Sequence, residues 1–119
     1  MDIIFLHDLR IETIIGIYDW EREEKQLVTF DLEMAGDVSA AAATDAIEDT
    51  INYKAVAKRL ISFVGESQFN LVETLAERVA AIILEEFGVC WVKVRVNKKG
   101  AVRYASDVGV VIERGVRSA

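Results

Sequence analysis

Isoleucine and phenylalanine crowd residues 3–18, and Ile11, Thr13, Ile15 and Ile17 share one parity, the period-2 spacing of a strand with one covered face. Asp8, Leu9 and Arg10 interrupt this run as a bend or β-bulge does. Residues 18–25 form a charged connection. Beyond it Val28, Phe30, Leu32 and Met34 alternate with Thr29, Asp31 and Glu33, which predicts a second strand antiparallel to the first across an acidic turn. The small residues 39–43 predict a short helix ended by Thr44 and Asp45.

The period then changes. Tyr53, Val56, Ala57, Leu60, Ile61 and Val64 follow helical i, i+3, i+4, i+7 spacing, with Lys54, Lys58 and Arg59 elsewhere, and the helix is expected to stop near Gly65. Residues 70–73 (NLVE) come close to a capping box and open a second helix. Its apolar face holds Val72, Leu75, Val79, Ile82, Ile83 and Phe87, and its stop is Gly88. Val92, Val94 and Val96 alternate with Lys93, Arg95 and Asn97, and Val108, Val110 and Ile112 repeat the pattern after a turn at Gly100. The order strand, strand, helix, helix, strand, strand predicts one α+β domain over residues 1–119, a four-stranded antiparallel sheet with two amphipathic helices on one face. Isoleucine and valine at both parities of the first and last strands point to association. There is no proline, so a cis-proline device is excluded.

Composition narrows the partners. With 52% hydrophobic and 29% charged residues the chain is expected to pack rather than stay disordered. Its 14 basic and 20 acidic residues give a net charge of -6, which opposes non-specific binding to nucleic acid or an anionic membrane while leaving room for a buried basic pocket. The acidic N-terminus does not read as a signal peptide, and no apolar run approaches the roughly 20 residues that span a bilayer, so a cytoplasmic location is expected. The lone Cys90, beside Trp91, reads as a small buried hydrophobe of a strand in a reducing compartment.

Counting removes several chemistries. His7 and Cys90 are the only imidazole and thiol, and they have no zinc-ligand spacing. His7 reads as a structural or solvated strand residue, which opposes Ser-His-Asp and Cys-His sites. No glycine-rich phosphate cradle is present. Lysine, tyrosine and carboxylates remain, a set suited to proton transfer at carbon or to imine formation. Lys98 shares the parity of Val92, Val94 and Val96, so an undistorted strand places its ammonium on the helix-covered side, where burial tends to lower its pKa. The competing reading is a solvated strand end, which is also the reading for Lys99 on the other parity. Tyr53 reads as a core residue with its hydroxyl at an edge. Glu73 reads as the third residue of a capping box, a place from which a carboxylate also grips an amidine-like N–H pair on a flat heterocycle. Glu21 reads as part of a solvated charged loop.

Four segments in order, residues 15–21 (IGIYDWE), 49–53 (DTINY), 70–77 (NLVETLAE) and 97–102 (NKKGAV) followed by 108–115 (VGVVIERG), resemble bacterial dihydroneopterin aldolase over nearly the whole chain. The resemblance implies a tunnelling fold, a ββααββ subunit whose sheets join edge to edge into an oligomeric barrel. It also implies an octamer of two stacked tetrameric rings, with sites between adjacent subunits. The implied reaction is a retro-aldol cleavage in folate biosynthesis, 7,8-dihydroneopterin giving 6-hydroxymethyl-7,8-dihydropterin and glycolaldehyde, with epimerisation at C2′ beside it. The alternatives are a dihydroneopterin triphosphate 2′-epimerase and a pterin-binding module without catalysis.

Carried onto this chain, the resemblance makes Glu73 the anchor of the pterin amino and ring N–H groups, assisted by backbone around Val72, with Ile51 and Asn52 adding backbone contacts. Tyr53 and Glu21, one of them from a neighbouring subunit, would handle the side-chain hydroxyls, and Lys98 would be the general acid/base acting through a bound water. The conjugated ring imine accepts the electrons, so neither metal, cofactor nor lysine imine is implied. This chain departs from many members at Lys99, where they carry proline.

Overall fold

A computed structural model describes residues 1–117; the last two positions of the expected 1–119 domain lie outside the described residues. The chain begins with a long strand, β1 (Asp2–Ile15), followed by a short helix, α1 (Asp19–Glu23), and a second strand, β2 (Gln26–Gly36). After α2 (Ser39–Thr44) and a 3-10 turn (Ile47–Asp49) come helix α3 (Tyr53–Glu66), a two-residue strand β3 (Gln68–Phe69) and helix α4 (Val72–Glu86). Strands β4 (Trp91–Lys98) and β5 (Gly109–Gly115) complete the chain.

The sheet has five strands in the order β3-β1-β2-β4-β5 rather than the four expected from periodicity. It is mixed, because β3 pairs parallel with the end of β1 (Ile14 with Gln68, Ile15 with Phe69) while the other pairs are antiparallel. Two residues are too few to register as a period, which is why β3 escapes a pattern search. The interruption at Asp8 is a bulge: the β1–β2 register shifts between Leu6 and Leu9, Asp8 takes φ 56°, and its N–H donates to Asp31 Oδ1 at 2.8 Å.

One face of the sheet holds the core. Val28, Phe30, Leu32 and Met34 of β2 and Val92, Val94 and Val96 of β4 are fully covered, packed with Val56, Leu60 and Val64 of α3 and Leu75, Val79 and Ile83 of α4. Thr13 is buried among them. Its hydroxyl reaches the Val64 carbonyl at 2.5 Å, which fixes the C-terminal end of α3 to the same end of β1 that leads to Gly16. Arg59 donates from Nε and Nη2 to the Glu86 carboxylate at 2.8 and 3.0 Å and ties the helices to each other.

Several expectations fail on contact with tertiary structure. The apolar stripe of α3 is narrower than its spacing implies. Only Val56, Leu60 and Val64 are buried, whereas Ile61 and Tyr53 stand 49% and 52% exposed on the outer side, so Tyr53 is not a core residue. Ile17 is 63% exposed because the chain leaves the sheet at Gly16, whose φ is 127°. Cys90 is exposed in the connection before β4, not buried in a strand. The acidic turn contains the helix α1, whose five residues are too few for helical periodicity to show. Among the described residues no helix is long and apolar enough to cross a membrane.

Candidate active site

The last residue of β4 is Lys98, and the strand runs undistorted to it, paired with Val28 of β2. Its side chain therefore follows Val92, Val94 and Val96 onto the helix-covered side, where it is 14% exposed. There its ammonium donates to Glu21 Oε2. Glu21 is 5% exposed and belongs to α1, so the expected solvated loop residue is instead the partner of the candidate lysine.

Three features aim the Glu21 carboxylate. Tyr18 is extended, and its N–H donates to Glu21 Oε1 at 3.3 Å, the return bond of a capping arrangement at the start of α1. The Gln26 amide bridges, donating from Nε2 to the Ile15 carbonyl at 2.8 Å and to Glu21 Oε2 at 3.3 Å. Gly16 leaves the space the carboxylate occupies, since a Cβ there would overlap it. Burial is the largest influence on the Glu21 carboxyl and opposes its ionisation. The Lys98 hydrogen bond, the Tyr18 N–H, the Gln26 amide and the Lys98 charge together outweigh it and hold the carboxyl below its usual range.

This pair lies in a cleft of about 360 Å³, a size suited to a small planar ligand. Ile15, Gly16, Ile17, Tyr18, Trp20 and Glu21 form one part of its lining, Gly100 and Ala101 after Lys98 another, and Asn70, Leu71 and Val72, where helix α4 starts, its α4 wall. The N-cap of α4 is Leu71, which makes no side-chain cap bond, so the expected capping box of residues 70–73 does not form and Glu73 is the second helical residue. The Glu73 carboxylate is exposed and without a partner among the described residues, next to first-turn N–H groups that no helical carbonyl can reach. A free carboxylate beside free N–H groups offers acceptors and donors to the edge of a heterocycle.

Glu21, Lys98 and Val72 thus meet in one cleft, with Glu73 beside its α4 wall. Ile51, Asn52 and Tyr53 do not join them. Ile51 packs near Gly36 and Ile4, at the end of the sheet where β1 begins, and lines a separate groove with Phe87 and Val89. Asn52 caps α3, its Oδ1 accepting from the Ala55 N–H at 3.1 Å, and Tyr53 follows it. Since the other end of α3 is fastened to Thr13, Tyr53 stands about 20 Å of helix away from the cleft end of its own subunit. Lys99 is exposed in the turn after β4, and its charge adds to the lowering of the Asp8 carboxyl that the Arg10 hydrogen bond chiefly causes.

Pattern reading misses Gln26 and Arg22 altogether. Gln26 sits at the start of β2, where nothing in a strand period distinguishes it. Gly16 was legible only as part of the 15–21 segment. Below Lys98, the 99–108 connection is held by the Lys98 N–H to the Val108 carbonyl at 2.8 Å and by Asn97 Nδ2 to Asp107 at 2.8 Å.

Comparison with known proteins places these features in one family. The dihydroneopterin aldolase family model matches residues 4–113. The chain is 44% identical over 115 residues to dihydroneopterin aldolase of Escherichia coli K12, covering 97% of this chain and 94% of that one. It is 31% identical to the dihydroneopterin triphosphate 2′-epimerase of Pseudomonas aeruginosa, over 92% of this chain and 89% of that one. The crystal structure of E. coli dihydroneopterin aldolase in complex with neopterin superposes with a TM-score of 0.94 at 44% identity, covering 97% of this chain and all of that one.

Proposed function

This chain belongs to the dihydroneopterin aldolase family, and from that premise we propose that it cleaves 7,8-dihydroneopterin by a retro-aldol reaction to 6-hydroxymethyl-7,8-dihydropterin and glycolaldehyde, a step of folate biosynthesis. The observation that carries the reading is the buried Lys98–Glu21 pair in the same cleft as the start of α4. It sets a proton donor and an aimed carboxylate near the place where a heterocycle is gripped.

In this reading Glu73 and the backbone at Val72 hold the amino and ring N–H edge of the pterin, which turns the side chain toward Lys98. The 2′-hydroxyl loses its proton, C2′ departs as the aldehyde carbon of glycolaldehyde, and the bonding pair passes from C1′ into the ring imine. Glu21 and Tyr53 handle the side-chain hydroxyls. Lys98, through a water, returns a proton to C1′ and completes the hydroxymethyl group. The ring serves as the electron sink, so the scheme calls on no cofactor. Re-addition of glycolaldehyde to the other face before release gives the C2′ epimer.

The scheme also requires a second copy of the chain. Tyr53, Ile51 and Asn52 are too far along the molecule to reach their own subunit's Lys98, so they serve the cleft of a neighbour. Open sheet edges along most of β1 and along β5, with exposed Phe5, Val111, Tyr53 and Ile61, support a homo-oligomer, which we take to be an octamer of two tetrameric rings in the cytoplasm. Incubation with dihydroneopterin and, separately, its triphosphate, followed by separation of products, tests the reading. Glycolaldehyde with hydroxymethyldihydropterin supports the aldolase. Triphosphate epimer without cleavage makes the chain an epimerase, and binding without either product makes it a pterin-binding module.

A further inference from the structure

Arg22 belongs to α1 and directly follows Glu21, yet it does not line the cleft and makes no ion pair with any carboxylate among the described residues. Its half-buried guanidinium is spent on main-chain carbonyls. Nη1 donates to Gly16 O and to Phe69 O, each at 3.1 Å, and Nη2 donates to Gln68 O at 2.7 Å. The Phe69 carbonyl also accepts from the Gly16 N–H at 3.3 Å.

These acceptors belong to two different walls. Gly16 is the bend that gives Glu21 its room, and Gln68 and Phe69 are β3, from which the chain passes through Asn70 and Leu71 into α4. The β1–β3 ladder is only two residue pairs long and is backed at its start by the Thr13 hydroxyl, which donates to the Ser67 carbonyl at 3.1 Å, whereas toward the cleft Arg22 supplies the side-chain bonds between these segments. An unpaired cation in such a place would be solvated unless the carbonyls required it, and its planar fork matches acceptors on two segments in a way that a single ammonium does not.

We propose that Arg22 is a positioning residue, a clamp that fixes the distance between the Glu21 wall and the α4 wall of the cleft. The inference rests on the reading of the cleft as a pterin site, with Glu21 on the substrate's side chain and Glu73 on its ring. Arg22 touches no reacting atom. It sets how the group that handles the hydroxyls lies relative to the group that anchors the ring.

The test compares Arg22→Ala and Arg22→Lys with the parent, using the full-length oligomeric protein. Melting temperature checks folding, kcat and KM are measured with dihydroneopterin, and Kd is measured for neopterin and for pterin, which has the ring without the side chain. In both variants kcat should fall about ten-fold or more, within the loss of about 10² that a 1 Å misplacement can cause. Pterin Kd should stay within about two-fold while neopterin binding weakens, because ring anchoring is intact and side-chain alignment is not. Unchanged kcat in a folded Arg22→Ala variant overturns the proposal. So does full recovery in Arg22→Lys, which would assign the effect to charge, or an equal loss of pterin and neopterin binding, which would assign it to folding of the whole cleft. A parent that does not cleave dihydroneopterin defeats the functional reading instead, and the clamp is then judged on the ratio of neopterin to pterin affinity alone.

Discussion

Lys98 and Glu21, 77 positions apart in sequence, meet as a largely buried ion pair at the end of β4, each with its side chain less than 15% exposed. A pair this dry is held by its geometry. Removing one partner of a buried pair commonly costs about 3–5 kcal/mol because the other charge is left uncompensated. The cleft admits some solvent, so the lower part of that range is expected here. The pair is therefore a structural contact as well as the proposed proton-handling pair of the cleft.

Its pH dependence follows from the Glu21 carboxyl. That group is held below its usual range in the folded state, so the stability it contributes is complete above the unfolded-state value and is lost as pH falls through the folded value. Denaturant midpoints of the parent and of Glu21→Gln should differ most at neutral pH. The gap should close as pH drops through and below the ordinary carboxylate range. A constant gap across that window would mean that the charge of Glu21 is not what stabilises the fold.

For Glu73 the absence of a capping bond sharpens the expectation. Its carboxylate makes no hydrogen bond or ion pair among the described residues and has only the α4 N-terminus to stabilise it, so Glu73→Gln should change the melting temperature by no more than about 2–4 °C. Affinity for a simple pterin should fall by about 1.5–3 kcal/mol, the range for a hydrogen bond to a charged group, which is roughly ten-fold or more. Isothermal titration with pterin measures this directly, and undiminished affinity would remove Glu73 from the ring site.

The proposed sharing of each site between two subunits makes a distinctive prediction for mixtures. Lys98→Ala and Tyr53→Phe subunits, each poorly active alone, should recover activity when dissociated and reassembled together. With random assembly about one quarter of the clefts receive an intact Lys98 from one chain and an intact Tyr53 from the other. Activity that stays at the level of the separate variants would place both residues in the same subunit's site or remove Tyr53 from it.

What could be read from the sequence, and what could not, follows from the range of the interactions involved. Strand parity points Lys98 to the covered side only if the strand stays undistorted, with a solvated strand end as the competing reading, and β4 has no bulge between Val92 and Lys98. The Asp8 bulge was visible as a break in period. Glu21 was misjudged as solvated because its burial depends on Gly16, Gln26 and Lys98, which are brought to it by the turn and the sheet. Glu73 was mistaken for a cap by counting from Asn70, one residue before the true N-cap. Tyr53 and Ile61 have helical spacing from the core residues of α3, but that spacing cannot tell a core from an exposed apolar surface. Arg22 has no pattern at all, since its partners are main-chain carbonyls on a strand of two residues.

The most direct test of Lys98 as the acid/base is the turnover of Lys98→Ala with dihydroneopterin, measured beside its affinity for pterin. A loss of about 10² or more in kcat is expected, with pterin Kd little changed. Turnover equal to the parent's in a variant that still binds pterin would contradict it.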